Sequence, residues 1–362
     1  MDDVMRDERI VIAEQSSVRT REKIKSVSLT RRAVWATAGL LLACCDAGAS
    51  EVCGLQNAVF DGIFVDGFNV PGSGLGPAYG VVNAPASGVT PAISITSPTG
   101  GSLPKGRVQV VGTVSGPPNV GVVVNGQRAY VFNGTFLTPE LTLDPSQTSL
   151  VAEATAPDGL SASASRSITV STTDPDAALS VDAEVGFSPL PVRFSASVKT
   201  GLTVQSFSVD FQTDGTPDYT GSGPIPATTY AAPGIYTASV TVTLSDSTTR
   251  TAAHKVIALD LAEHRADICS VYANLRARLL AQDANGAVRS LTGQLRKKLL
   301  SFFNALGSQM STVAPGLGTL ADGIIGLDTA DLVAVKDASG TLRGYPVHMV
   351  RDRQGVWRID AM

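Results

Sequence analysis

Histidine is nearly absent from this sequence. The three present, His254, His264 and His348, stand far apart, and none has a second ligand at metal-site spacing. No serine–histidine–acid set announces itself, so no catalytic residue is assigned. The formal charge is −4, and no basic patch or stripe marks a nucleic-acid face, which argues against that partner. Long apolar runs are also missing. A membrane-spanning helix needs about 20 apolar residues, and the best run, Ala33 to Cys45, is well short. The glycine-rich stretch Gly72-Ser73-Gly74-Leu75-Gly76-Pro77 lacks the preceding strand and following helix that a phosphate cradle requires.

What is present near the start is a basic pair and a short apolar stretch. Thr30-Arg31-Arg32-Ala33-Val34-Trp35 runs into Leu41-Leu42-Ala43-Cys44, the order of an export signal. The Leu-Leu-Ala-Cys ending resembles the lipobox of bacterial lipoproteins, and Thr-Arg-Arg-Ala-Val-Trp looks like a twin-arginine signal. The lipobox resemblance implies that residues 1–43 are removed. Cys44 would become the lipid-bearing first residue, attaching the protein to a membrane without a span. Residues 44–91, rich in Gly, Pro, Ala, Asn and Ser, read as a flexible tether. Within it a Cys45–Cys53 loop is one pairing open to an exported chain.

Charge then divides the chain. Residues 44–260 hold 8 basic against 17 acidic side chains, whereas 261–362 hold 12 against 9. A domain boundary is expected near 260. From 92 to 172 short strands recur. Val122-Val123-Val124 meets Asn125-Gly126, and Asn133-Gly134 follows at once. Asn-Gly between apolar runs is a hairpin signal, because both residues tolerate positive φ. Six or seven short strands in about 80 residues predict a β-sandwich. Ile95-Thr96-Ser97-Pro98-Thr99-Gly100, Val123-Val124-Asn125-Gly126 and Leu150 through Gly159 resemble, in order, bacterial immunoglobulin-like modules similar to the second domain of glucodextranase. That resemblance implies an accessory module.

Residues 177–260 predict a second sandwich. Pro189-Leu190-Pro191-Val192-Arg193-Phe194 and Thr229-Tyr230-Ala231-Ala232-Pro233-Gly234-Ile235-Tyr236 resemble PKD (polycystic kidney disease) domains, with Val209 where the family has tryptophan. Asp210, Gln212, Asp214 and Asp218 place oxygen donors at positions 1, 3, 5 and 9 of a loop with Gly215 at 6. That is the front half of a calcium loop, and a structural Ca²⁺ is the candidate ligand. Position 12 is Gly221 rather than glutamate, and an Asp-rich turn between strands is the other reading. No other cofactor is implied.

The period changes after 260. Ile268, Val271, Tyr272, Leu275 and Leu279 recur at helical spacing, and Leu291, Leu295, Leu299, Phe303 and Leu306 extend the pattern. Strands are expected again over 332–336, 344–351 and 356–359. Cys269 falls on the apolar stripe and reads as a buried thiol. The order, with its ending Tyr345 to Arg351 and Val356 to Ile359, resembles cone-shaped folds like nuclear transport factor two. His348 and Arg351 are the candidate pocket residues of this α+β cap (261–362). Arg296-Lys297-Lys298 reads as a solvated helix face. Tyr219, Tyr230, Tyr236 and Trp357 are candidates for a carbohydrate platform, with Tyr230 and Tyr236 better placed in the sandwich core.

The expected fold is therefore mainly β: two tandem immunoglobulin-like sandwiches followed by a small α+β domain. The expected function is non-enzymatic. This would be a lipid-anchored envelope protein, facing periplasm or exterior, that binds glycan or envelope proteins or acts as a scaffold. Two alternatives stand beside it: a small-molecule binder or enzyme using a pocket in the cap, and a subunit of an envelope complex.

Overall fold

Two Asn-Gly pairs set the hairpins of the first module. Asn125 and Gly126 take φ of 46° and 85°, and Asn133 and Gly134 take 47° and 71°. These left-handed pairs match the right-handed twist of the flanking strands, so Val124 pairs with Gln127 and Phe132 with Thr135. The computed structural model describes residues 88–199, 201–339 and 341–362. The signal, Cys44, the Cys45–Cys53 pairing and the tether before residue 88 lie outside the described residues.

The first module is a sandwich. One sheet runs Ala92–Ser97, Val111–Ser115, Thr135–Leu137, Tyr130–Phe132 in spatial order. The other runs Gly101–Leu103, Ser161–Val170, Ser149–Thr155, Gly121–Val124, Gln127–Arg128. Alternation sends one side of each strand inward. Leu150, Ala152 and Ala154 of one strand join Val122, Val124 and Phe136 in a single core.

The second module is built on a long hairpin, Gly234–Leu244 against Thr249–Leu259. Ala238, Val240, Val242 and Leu244 alternate into its core with Val209, Phe194 and Phe211. Tyr230 and Tyr236 stack with ring centroids 4.2 Å apart, and their hydroxyls donate to the carbonyls of Phe211 and Ala232, each at 2.8 Å. Both rings therefore hold the turn rather than face a ligand.

Asp260 ends the hairpin and caps the next helix, Leu261–Leu280, by accepting from the Ala262 amide at 2.8 Å. A short helix, Ala284–Ala287, and a longer one, Gly293–Leu306, follow, and short turns lead into an antiparallel sheet. Its order is Thr319–Ile325, Thr329–Ala338, Thr341–Arg351, Trp357–Ala361. The helical stripe Ile268, Val271, Tyr272, Leu275 and Leu279 packs on Leu320, Leu332, Val347, Met349 and Trp357. Helices followed by a sheet make the cap α+β, and the whole chain is mainly β. Cys269, on that stripe, is disulfide-bonded, which corrects its reading as a free thiol; its burial suits either state. Among the described residues no helix is long and apolar enough to cross a membrane.

Candidate functional site

The acidic loop of the second module is held by its own backbone. Asp210 accepts from the amides of Gln212, Thr213, Asp214 and Gly215 at 2.6–3.3 Å. Burial pushes its carboxyl up, but these four amides outweigh it and hold the pKa below the usual carboxylate value. Asp218 accepts from the Phe211 amide at 2.7 Å, and the Gln212 side chain donates to Asp214 and Asp218. The loop is thus a closed turn network in which each aspartate has an internal partner.

His348 and Arg351 do not share a pocket. They are three residues apart on one strand, and an odd spacing places side chains on opposite faces. His348 lies on the outer face, bonded through Nδ1 to Asp331 at 2.7 Å. Arg351 is buried with Val347 and Met349. An aromatic platform is excluded for Trp357 and Tyr230, which are 2 % and 5 % exposed.

The buried polar groups gather elsewhere, where the cap meets the first sandwich. Arg351 donates to the carbonyls of Gly355 and Ala129, each at 3.0 Å, and its guanidinium lies 5.0 Å from the Tyr130 ring centre. Burial lowers its pKa against the opposing pull of Asp328. Asp328 in turn accepts from Arg128 and from the Tyr130 hydroxyl, both at 3.2 Å. Asn119, 4 % exposed, bonds Trp357 twice across the junction, accepting from its amide at 2.7 Å and donating to its carbonyl at 3.2 Å. The Asn119 amide donates to Asp267 at 2.8 Å. Burial pushes the Asp267 carboxyl up to about 6 despite that bond. Burial likewise lowers His264 to about 4. Its ring sits edge-on to Phe187 of the second module and to Trp357 of the cap, at 5.2 Å from each.

Perturbed acids and bases around a cavity often mark an active site. Here the cavity lined by Asn119, Tyr130, His264, Asp267, Arg351 and Trp357 is only about 20 Å³. That is the room of one water, far below the roughly 300 Å³ of a small-molecule pocket. The junction can position modules but cannot admit substrate. The inside of the cap is filled by Leu275, Leu291, Phe303 and Trp357. A larger space, about 430 Å³, is an open surface groove on the cap flanked by Arg276, Thr312, Lys336 and Asp337.

A second polar tie joins the two sandwiches. The Gln109 side chain donates to the Lys255 carbonyl and accepts from its amide, each at 2.7 Å. The Glu140 amide donates to Glu184 at 2.9 Å. His254, 3 % exposed, stands between both carboxylates. Burial pushes the Glu184 carboxyl up, but the adjoining His254 ring and the hydrogen bond from the Glu140 amide outweigh it and leave it below the usual value. The sequence singled out none of these junction residues except Trp357, Arg351 and the histidines, because their partners lie 44 to 238 positions away.

Against this geometry the likenesses to known proteins are local. Residues 176–257 match the PKD domain family. No curated protein matches the chain. Among solved structures, the PKD1 domain of the Vibrio cholerae metalloprotease PrtV is 18 % identical, covering 23 % of this chain and 96 % of that one at a TM-score of 0.19. The N-terminal Ig1-2 module of the Drosophila receptor protein tyrosine phosphatase DLAR is 13 % identical over 47 % of this chain and 98 % of that one, with a TM-score of 0.21. The Clostridium thermocellum CbhA fibronectin(III)-like modules give 14 % identity over 47 % and 95 % of the two chains, with a TM-score of 0.18. At such scores none of these structures bears on function.

Proposed function

We propose that this protein is a non-enzymatic scaffold of the bacterial cell envelope, lipid-anchored through Cys44, whose three modules act as one rigid body. The observation that carries the scaffold reading is the junction. The cap, last in the chain, is bonded back onto the first module by Asn119, Arg128 and Arg351. Flexible beads on a string would not bury such groups, since an unpaired buried charge is costly. A PKD-type module beside a second sandwich supports a binding or scaffold role, with glycan or envelope protein as partner. The lipobox-like Leu41-Leu42-Ala43-Cys44 supports the anchor and the envelope location. The glucodextranase-like and transport-factor-like resemblances of the first and last modules belong to the same proposal.

The intact mass of membrane-extracted protein, compared with a Cys44→Ala variant, tests the anchor. The expected mature chain starts at Cys44 and carries acyl mass that the variant lacks. An unmodified chain retaining residues 1–43 would overturn it. With Cys44 acylated, Cys45 and Cys53 are the intrachain partners left for Cys269. Non-reducing peptide mapping should therefore join the Cys269 peptide to one of them. A second reading draws on the cap groove, where Arg276 and Lys336 would suit a small anionic ligand.

A further inference from the structure

We infer that Glu140, Glu184 and His254 form a binding site for a zinc-type transition-metal dication between the two sandwiches. Among the described residues they are the one His/Cys/Asp/Glu triple whose ligand atoms all lie within 4.8 Å of one another. Three different segments supply them. Glu140 precedes the strand Leu141–Leu143 of the first module; Glu184 precedes Val185–Phe187, and His254 lies within Thr249–Leu259, both in the second.

The hydrogen bonds around the ring prepare it as a ligand. Nδ1 is 3.1 Å from the Leu179 carbonyl, which can only accept, so Nδ1 carries the proton. The Nε2 lone pair is then free, the arrangement that oriented metal-binding histidines use. Nε2 has only long neighbours: the Glu184 Oε1 at 3.4 Å and the Gln109 side-chain nitrogen at 3.4 Å, whose short bond goes to Lys255. Ligands about 2.0–2.2 Å from a tetrahedral zinc stand roughly 3.4 Å apart, so Nε2 and Glu184 Oε1 already have that edge length.

The carboxylates are oriented in the same way. Glu140 Oε2 is held by Arg107 at 3.0 Å and Glu184 Oε2 by the Glu140 amide at 2.9 Å. Glu184 Oε1 lies 3.4 Å from Nε2, whereas Glu140 Oε1 lies 3.4 Å from Nδ1 and has to swing round the ring edge to share a metal held on Nε2. Two carboxylates against one guanidinium leave a net negative charge that attracts a cation. An imidazole in the donor set favours zinc-type ions over calcium, which takes oxygen ligands. Three protein ligands leave a fourth position for water. Metal here would add a third tie beside those made by Gln109 and Glu140.

The full-length chain, freed of metal by chelator, is titrated with ZnCl₂ at neutral pH by calorimetry, with the melting temperature followed in parallel. The expected result is one zinc per chain and a raised melting temperature. Glu184→Gln and Glu140→Gln should each weaken binding by about tenfold or more, and His254→Gln should abolish it, while His348→Ala leaves it unchanged. The glutamine variants keep size and hydrogen-bonding capacity, so they report on the site even if His254→Gln folds poorly. No stoichiometric zinc, binding that survives the glutamate substitutions, or loss on His348→Ala would each overturn the site. So would a His254-dependent stability that follows pH and ignores zinc, which would make the cluster a proton site instead.

Discussion

At the scale of single residues, Asn119 does the most with the least. Its side chain matches both backbone groups of Trp357 in a buried setting. Asn119→Ala leaves an amide and a carbonyl without partners, and each buried unsatisfied group costs about 1–3 kcal/mol. The expected loss is roughly 2–4 kcal/mol in urea unfolding. Asp267 gives a pH signature. Its folded pKa of about 6 lies above its unfolded value near 3.8, so the folded state holds the extra proton between those limits, and its contribution weakens as pH rises through 6. Asp267→Asn should therefore gain stability relative to the parent as pH rises from 4 to 7. His264 acts oppositely: lowered to about 4, it takes up its proton first when unfolded, so stability falls as pH drops from about 6.5 to 4. The two effects partly cancel in the parent, and Asp267→Asn should expose the acid sensitivity of His264 as a steeper loss below pH 6. None of this was legible in the sequence. Asn119 has no periodic signal, and its partner lies 238 positions away. His264 and Arg351 were visible as residue types, but their burial depends on a contact between modules that no local pattern encodes.

At the scale of elements, more was legible. The Asn-Gly turns, the alternation of 237–244 and the helical stripe from Ile268 are local signals, and each formed where its period placed it. The strand Thr319–Ile325 was missed. It contains Gly323, and Ile324 is 65 % exposed, so neither alternation nor β-branching announces it. It forms because Thr329–Ala338 offers it a ladder. The aspartates of the second module were legible as a loop, and the structure explains them by backbone amides. Asp210→Ala should lower the melting temperature equally in calcium and in chelator; a loss confined to calcium buffer would restore the cation reading. Gly121 matters through what approaches it. A Cβ there would stand 2.2 Å from the Gln354 carbonyl oxygen and 2.6 Å from Gly355 backbone. Gly121→Ala should push the Asp352–Val356 turn away from the first module, read as faster amide exchange across residues 352–358 with little change in the second sandwich.

At the scale of the whole molecule, chain order and spatial order differ. The second module is joined to the first by Gln109, Glu140 and His254, and the cap returns to the first through Asn119, Arg128 and Arg351. An apolar cluster of Leu137, Ile257 and Leu259 with Tyr130, Phe187 and Leu327 draws on all three modules. Loosening one junction removes support from the other, so the modules should unfold together although each has its own core. Calorimetry of the full-length protein, alongside Asn119→Ala, tests this most directly. One transition is expected in the parent, with calorimetric and van't Hoff enthalpies in agreement, and a cap that separates from it in the variant. Two or more resolved transitions in the parent, unmoved by Asn119→Ala, would contradict a rigid three-module scaffold.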